Sequence, residues 1–349
     1  MEQTMKKLTS GSKLAPSVKK KLVFLIALIL LAVVCIVAIM WGKYTIGVPR
    51  IFATLLGNGT RAENMAIMQI RLPRICIALL VSIALSTSGS VLQKVSKNPL
   101  AEPGMIGINA GAALAVVLLI TSRKSAYYNT LSMDTKLLIP LAAVAGAMLS
   151  AALIYGLAFK KGIAPVRLIL VGIGINAGIN AIISFYQLKS SKGDYNQVLT
   201  WTSGSLWGSS WDYVAILTPI LFVLLLLVIR KNKTLDVMQL GDEVATGLGV
   251  HVQKESAFFF FIAALLAALA TAVAGNIAFL GLLGPQLAKR LVGTKHKWQI
   301  PVGACISAVI LILADAISRN LFSPIEIPVG ITVSVLGVPY FIYLMMKEK

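Results

Sequence analysis

The 349-residue sequence has few acidic residues, only two histidines and three cysteines. Lys and Arg total 32 against 13 Asp and Glu, so the formal net charge is +19, yet only 13% of the residues are charged. Soluble domains carry about a quarter charged residues, and disordered chains have low hydrophobicity. This chain is 57% hydrophobic with a mean hydropathy of +0.84. The composition therefore excludes an ordinary soluble protein and a disordered one.

Motifs for catalysis and metal binding are also missing from the sequence. Cys35, Cys76 and Cys305 lie in separate apolar runs without a CxxC pair, which predicts buried free thiols and neither disulfide nor zinc site. The ATP-binding pattern GxxxxGK[ST] and the zinc pattern HExxH are absent. No Ser/His/Asp set lies in the apolar segments. A membrane enzyme is thus poorly supported, and no cofactor or metal is expected in this chain.

Long apolar runs dominate the sequence after a polar, basic tail at 1–21. The run from Leu22 to Met40 is longer than the core of a signal peptide and lacks a clear cleavage site, so it predicts a first spanning helix. A spanning helix needs about 20 apolar residues, and residues 22–349 form one domain with ten such runs, of which the third and eighth are short and rich in glycine. The predicted spans are 22–40, 72–92, 105–120, 137–159, 167–187, 212–229, 256–274, 278–292, 299–318 and 328–346. The predicted fold is an all-α polytopic membrane protein with ten transmembrane helices.

Charge distribution predicts the orientation of these spans. Ten spans place both termini on one side of the membrane, and with a cytoplasmic N-terminus the inner segments hold 21 Lys and Arg against 11 in the outer segments. Cytoplasmic loops of membrane proteins are enriched in Lys and Arg, so both termini are predicted inside. The same tendency explains the basic excess without a nucleic-acid partner.

Helices 2 and 7 are predicted to run in opposite directions, so helices 2–5 and 7–10 could form an inverted repeat, as in many transporters. The sequence echo is faint. It consists of the glycine- and proline-punctuated segments NPLAEPGMIGINAGA and GNIAFLGLLGPQLAKRL, each of which follows the first helix of its set.

A polar stripe runs along predicted helix 5. Asn176, Asn180 and Ser184 are spaced by four and therefore share one helix face. Polar side chains in a span often mark a substrate path, but they also form hydrogen bonds between helices. The sequence leaves both interpretations open.

The longest predicted cytoplasmic segment, 230–254, contains two short helix-compatible pieces that break near Gly241. Segments of this length in compact proteins are usually functional. A docking surface for a cytoplasmic partner is therefore favoured over a simple surface linker.

Charged residues also cluster near the predicted outer ends of the helices. Arg71 and Arg74 are three residues apart, which suits either interfacial anchoring or a patch for an acidic partner. Asp315 has Arg319 as its i+4 neighbour, so an ion pair is favoured. A proton-coupling carboxylate at Asp315 is the alternative.

Taken together, these segments resemble the FecCD-type permease subunits of iron–siderophore and vitamin B12 ABC importers. The matching pieces occur in family order over about 80% of the chain. They are RLPRI at 71–75, GSVLQKVSKNPLAEPGMIGINAGAALA at 89–115, LGDEVATGLGV at 240–250, GNIAFLGLLGPQLAKRLVG at 275–293, LADAISR at 313–319 and EIPVGITVSVLGVPYFIYLM at 326–345. One departure is Gln286, where the family usually has His.

The resemblance implies a type II ABC-importer permease in the cytoplasmic membrane of a prokaryote, surrounded by lipid. It also implies a second permease subunit, two ATPase subunits that bind ATP and Mg, and an extracellular substrate-binding lipoprotein. The expected cargo is an iron–siderophore complex. Haem or cobalamin is the alternative cargo, and a proton-coupled secondary transporter is the alternative class.

The resemblance further implies roles for the residues singled out above. The ATPase-coupling residues are expected to be Leu240, Asp242, Glu243, Ala245, Leu248 and Gly249. The residues that meet the binding protein are expected to be Arg71, Arg74 and Arg319. The path-lining residues are expected to be Asn176, Asn180 and Ser184 of helix 5 and Asn109 of helix 3.

Overall fold

A computed structural model describes residues 16–42, 44–122, 133–159, 165–321 and 325–347, and no β-strand occurs in these ranges. The basic tail at 1–21 lies mostly outside them. The helices are α1 (Pro16–Met40), α2 (Val48–Leu55), α3 (Arg61–Asn64), a π-helix (Met65–Arg71), α4 (Leu72–Val95), α5 (Pro103–Ile106), α6 (Ile108–Ser122), α7 (Met133–Ala158), α8 (Pro165–Lys189), α9 (Lys192–Thr202), α10 (Trp211–Arg230), α11 (Asn232–Met238), α12 (Asp242–Gly247), α13 (Val252–Ala274), α14 (Leu280–Val292), α15 (His296–Asn320) and α16 (Val329–Lys347).

Each of the ten predicted spans contains a helix, and the all-α polytopic fold is confirmed. Seven helical segments within the described ranges are long and apolar enough to cross a membrane. They are Ser17–Met40, Arg61–Val95, Leu137–Ala158, Pro165–Lys189, Trp211–Arg230, Val252–Ala274 and His296–Asn320. The apolar stretch Val329–Tyr343 in α16 is shorter. The two spans predicted to be short are α6 and α14, which have 15 and 13 residues.

The centre of the bundle is formed by α4, α13 and α15. Their spanning windows are 78%, 72% and 67% buried, whereas that of α1 is only 17% buried. Small residues permit this arrangement, because they let helix backbones approach closely. At Gly89 of α4, an added Cβ would lie 1.8 Å from the carbonyl oxygen of Gly281. Any side chain at this position would push α4 and α14 apart.

Two chain breaks, one before α6 and one before α14, explain why these two helices are short. Gly107 separates α5 from α6 with a φ of +92°, and its Cβ would lie 3.0 Å from the carbonyl oxygen of Gly172. Between α13 and α14, Gly275 and Phe279 have φ values of +67° and +65°. Positive φ favours glycine and is uncommon for other residues. The segments beside the two breaks meet inside the bundle, where they form the site described below.

The helical segment that corresponds to the second predicted span, 72–92, begins at Arg61, eleven residues earlier than the apolar pattern predicts. Charged residues interrupt the apolar run before position 72, but a capping box at Thr60 starts a helix at Arg61. The Thr60 hydroxyl accepts a hydrogen bond from the Glu63 backbone N–H at 3.3 Å, and Glu63 Oε2 accepts one from the Thr60 N–H at 2.8 Å. Such a reciprocal pair satisfies two unpaired donors of the first turn. The segment predicted as an outer loop at 42–74 therefore contains α2, α3 and a π-helix.

Candidate functional site

A polar cavity of about 360 Å³ lies where α6, α8 and the two chain breaks meet. We call it the central polar cavity. All four path residues predicted from the sequence line it, together with four polar residues that were not predicted. The polar side chains in the lining are Asn109, Asn176, Asn180, Ser184, Glu102, Gln187, Thr202 and Asn276.

The polar stripe of α8 satisfies most of its hydrogen bonds along its own helix. Asn180 Nδ2 donates to the backbone and side-chain oxygens of Asn176, both at 2.8 Å, and Ser184 Oγ donates to the Asn180 carbonyl at 2.9 Å. A longer bond of 3.4 Å from Asn176 Nδ2 to the Gly104 carbonyl joins α8 to α5. Asn180 and Ser184 are exposed in the single chain. The stripe therefore lines the cavity, and helix–helix hydrogen bonding accounts for Asn176 alone.

The two chain breaks are joined by an amide pair across the cavity. Asn109 Nδ2 donates to Asn276 Oδ1 at 3.0 Å, while Asn109 itself is only 2% exposed. Asn276 directly follows Gly275 in the segment GNIAF. A polar residue next to a glycine in this apolar segment was the sequence signal for the contact, and the sequence analysis did not use it. This pair connects the N-terminal half of the chain with the C-terminal half.

Glu102 was also missed, because it lies between two predicted spans and was counted in an inner segment. It is 5% exposed and accepts a hydrogen bond from the backbone N–H of Phe279. The cavity thus offers neutral amides and one buried carboxylate. In the described ranges, no group of three or more His, Cys, Asp or Glu side chains could hold a metal ion. The arrangement can make hydrogen bonds to a polar solute.

The predicted coupling segment forms two short helices, α11 and α12, with the expected break at Gly241. Leu240, Val244 and Leu248 are 60%, 49% and 62% exposed. Val244 and Leu248 are spaced by four and therefore share one side of α12, and Leu240 lies just before the break at Gly241. We call these three exposed apolar residues the α12 apolar face. The predicted Leu240 and Leu248 belong to it, and Val244 was missed.

The remaining predicted coupling residues have different surroundings. Asp242 Oδ2 forms an exposed ion pair with Lys97 Nζ at 2.6 Å, and Glu243 is exposed. Gly249 has a φ of +84° just after α12. Ala245 is fully buried, so its methyl group supports α12 from inside. In this conformation Ala245 makes no surface of its own, and its role in coupling stays a prediction.

Arg74 is the centre of a buried ion network at the opposite end of the bundle. Its Nε and Nη2 both lie 2.8 Å from Asp315 Oδ1, and its Nη1 lies 3.1 Å from Glu326 Oε2. Arg319 Nε lies 3.0 Å from Asp315 Oδ2. The predicted i+4 ion pair is confirmed, and Asp315 is shared between two guanidinium groups.

Arg71 and Arg319 hold the last turn of α1. Arg71 donates to the Ile39 carbonyl and, at 2.6 Å, to the Tyr44 carbonyl, and Arg319 Nη2 lies 3.4 Å from the Ala38 carbonyl. Cations stabilise the unpaired carbonyls of a helix C-terminus. Arg71 and Arg74 are only 6% and 7% exposed. The two side chains therefore have internal partners, and their docking to a binding protein stays a prediction.

Gln286 joins three parts of the chain at the end that carries α12. Its Nε2 donates to Gln93 Oε1 at 3.0 Å and to the Pro99 carbonyl at 2.5 Å. It therefore ties α14 to α4 and to the segment that leads from α4 toward the central polar cavity.

Comparison with known proteins gives matches over nearly the whole chain. The model of the FecCD transport family matches residues 30–347. The chain is 46% identical over 331 residues to the iron(3+)-hydroxamate import system permease protein FhuG of Bacillus subtilis, covering 95% of this chain and 98% of the relative. It is 39% identical over 346 residues to the Fe(3+)-citrate import system permease protein YfmE of the same organism, covering 99% of each chain.

A solved structure agrees with these sequence matches. A metal-chelate type ABC transporter in an inward-facing conformation superposes with a TM-score of 0.80 and 27% sequence identity. The match covers 93% of this chain and 98% of that one.

Proposed function

Because this chain belongs to the FecCD transport family, we propose that it is the permease subunit through which an ABC importer moves iron–siderophore complexes across the membrane. The chain is a membrane-spanning permease and not the catalytic subunit of its importer. Such a permease works with an ATPase and a substrate-binding protein. The cargo is inferred from relatives that import iron(3+)-hydroxamate and Fe(3+)-citrate.

The observation that carries the proposal is the pairing of two sites on one chain. The central polar cavity lies within the bundle, and the α12 apolar face is exposed at one end of it. Exposed apolar patches often mark protein interaction sites, and the sequence has no GxxxxGK[ST] motif of its own. ATP and Mg would therefore be bound by the ATPase that seats on α12, while this chain contributes the path and no covalent chemistry.

The composition and orientation of the complex are part of the proposal. A second permease subunit would complete the path, two ATPase subunits would lie on the cytoplasmic side, and a binding lipoprotein would dock outside. The charge split of 21 against 11 supports cytoplasmic termini. The docking surface for the binding protein would then depend on three arginines mainly through their internal contacts. Arg71, Arg74 and Arg319 fix the positions of α1, α15 and Glu326 beneath that surface.

The lining of the cavity suits a polar cargo that binds weakly and is released. Asparagine amides offer both donors and acceptors, so they can form hydrogen bonds with either donor or acceptor groups of a solute as it moves through the cavity. Haem is the second candidate cargo, because the chain is 34% identical over 304 residues to the hemin transport system permease protein HmuU of Yersinia pestis.

The cargo can be tested by uptake in cells that lack their own iron importers. The complete importer containing this chain should accumulate radioactive ferric hydroxamate, and a tenfold excess of unlabelled ferric hydroxamate should compete. Haem should compete little. Uptake of haem without uptake of any ferric siderophore would replace the main proposal with the second candidate.

A further inference from the structure

A second cavity, of about 430 Å³, lies apart from the central polar cavity, between α1, α4, α10 and α15. Most of its wall is aliphatic, and it includes Leu28 of α1, Ile229 of α10 and Ala304 and Ala308 of α15. Leu28 and Ile229 are 40% and 54% exposed. The wall of the cavity is therefore continuous with the apolar outer surface of the bundle, where α1 is only 17% buried.

One end of this cavity is polar. Asn232, His296 and Lys297 line it where α11 begins and α15 starts. Lys297 is exposed and has no carboxylate partner among the described residues. The mouth therefore carries the positive charge of Lys297, while the Asp236 carboxylate is paired with His296.

His296 adds a buried polar group with an unused hydrogen-bonding atom. The residue is fully buried, and its Nδ1 lies 2.6 Å from Asp236 Oδ1. Its Nε2 makes no hydrogen bond within the described ranges. Buried polar atoms without a partner are rare. Because Nδ1 faces the Asp236 carboxylate, Nε2 of the neutral ring is a hydrogen-bond acceptor, which suits a hydroxyl donor of a headgroup and not a phosphate oxygen.

We infer that this cavity binds a phospholipid with an anionic headgroup, with one acyl chain between α1 and α15 and the phosphate at Lys297. An apolar chamber with a basic mouth at the membrane interface matches the two parts of such a lipid. Basic pockets between transmembrane helices at the cytoplasmic side are known to suit anionic headgroups, and α12 lies at this same end. The cavity volume of about 430 Å³ falls within the usual range of ligand pockets.

The site predicts selectivity between headgroups of equal chain length. The full-length chain would be purified in detergent, exchanged with phosphatidylglycerol or phosphatidylcholine of identical acyl chains, and weighed by native mass spectrometry. One phosphatidylglycerol should be retained in preference to phosphatidylcholine. Lys297→Gln should weaken this retention about fivefold, the factor expected for one lysine near an anionic surface. Lys254→Gln removes an exposed charge at the same end of the bundle, outside the cavity lining, and should leave retention unchanged.

The place of binding needs a second measurement. Phosphatidylglycerol with a photoreactive acyl chain should crosslink to α1 and to the Ala304–Ala308 stretch, and Ala304→Phe should abolish these crosslinks by filling the chamber. Excess phosphatidylglycerol should compete, and phosphatidylcholine should not. Equal retention of the two lipids, equal loss with Lys254→Gln, crosslinks spread evenly over the surface, or crosslinks to a second protein chain would each overturn the inference. Lys297→Gln lies on the surface, so its result does not depend on whether Ala304→Phe folds.

Discussion

The α12 apolar face can be tested by placing one charge on it. Leu248 is 62% exposed in the chain, and its neighbour Ala245 carries the inward packing of α12. Leu248→Asp should therefore leave the fold of this chain intact. Under the proposed function, the same substitution puts a carboxylate into an apolar contact with the ATPase.

The size of the effect follows from the exposed area. Fully burying a leucine stabilises by about 1.5–3 kcal/mol, so covering the exposed part of Leu248 accounts for about 1–2 kcal/mol. Leu248→Ala should therefore weaken ATPase binding by about tenfold, since 1.4 kcal/mol corresponds to that factor. Leu248→Asp adds the cost of an unpaired charge in a dry contact, which is several kcal/mol, so binding should fall below detection.

The assay is co-purification of the ATPase with the tagged permease, followed by affinity measurement in nanodiscs. Leu56→Asp is the matched control, because Leu56 is 80% exposed and follows α2, far along the chain from α12. The control should bind the ATPase normally. If Leu248→Asp also binds normally, the α12 apolar face is not the docking surface.

Three further predictions concern other parts of the molecule. Arg74→Gln should destabilise the chain by about 3–5 kcal/mol, because it removes one partner of a buried ion network, and adding Asp315→Asn should recover part of the loss in thermal unfolding; an unchanged unfolding temperature would contradict the network. Asn276→Leu removes the amide partner of the opposite chain break, so uptake should fall at least tenfold while ATPase binding persists, and normal uptake would remove this residue from the path. In a cysteine-free background, Ser191→Cys should react with an impermeant reagent from outside and Thr234→Cys should not, whereas outside labelling of Thr234→Cys would reverse the orientation. Labelling at 125 would extend the same test, although that position lies outside the described residues.

The sequence predicted the helices well, because an apolar run of about twenty residues has the length that a membrane-spanning helix needs. It also predicted the cavity-lining stripe, since the four-residue spacing of Asn176, Asn180 and Ser184 fixes their common face. The short spans were anticipated from their glycines. What it could not predict was that the breaks before α6 and α14 meet, because the Asn109–Asn276 contact joins positions 167 residues apart.

The charged residues were the hardest to interpret from sequence. Arg74 is adjacent to a proline and close to Arg71, which suggested an outer patch, but its partners Asp315 and Glu326 lie more than 240 residues later. Local spacing found the Asp315–Arg319 pair alone. The burial of Ala245 and the exposure of Val244 could not be predicted for a similar reason, because the exposed side of a six-residue helix is known only once its packing is known.

The most direct test of the account is the energy source of transport. The permease, its ATPase and its binding protein would be reconstituted in proteoliposomes loaded with ATP and Mg, with ferric hydroxamate outside and no proton gradient. The account predicts uptake that requires hydrolysable ATP and disappears with Leu248→Asp. Uptake without ATP that follows an imposed proton gradient, and that is lost on replacing Asp315, would contradict it in favour of a secondary transporter.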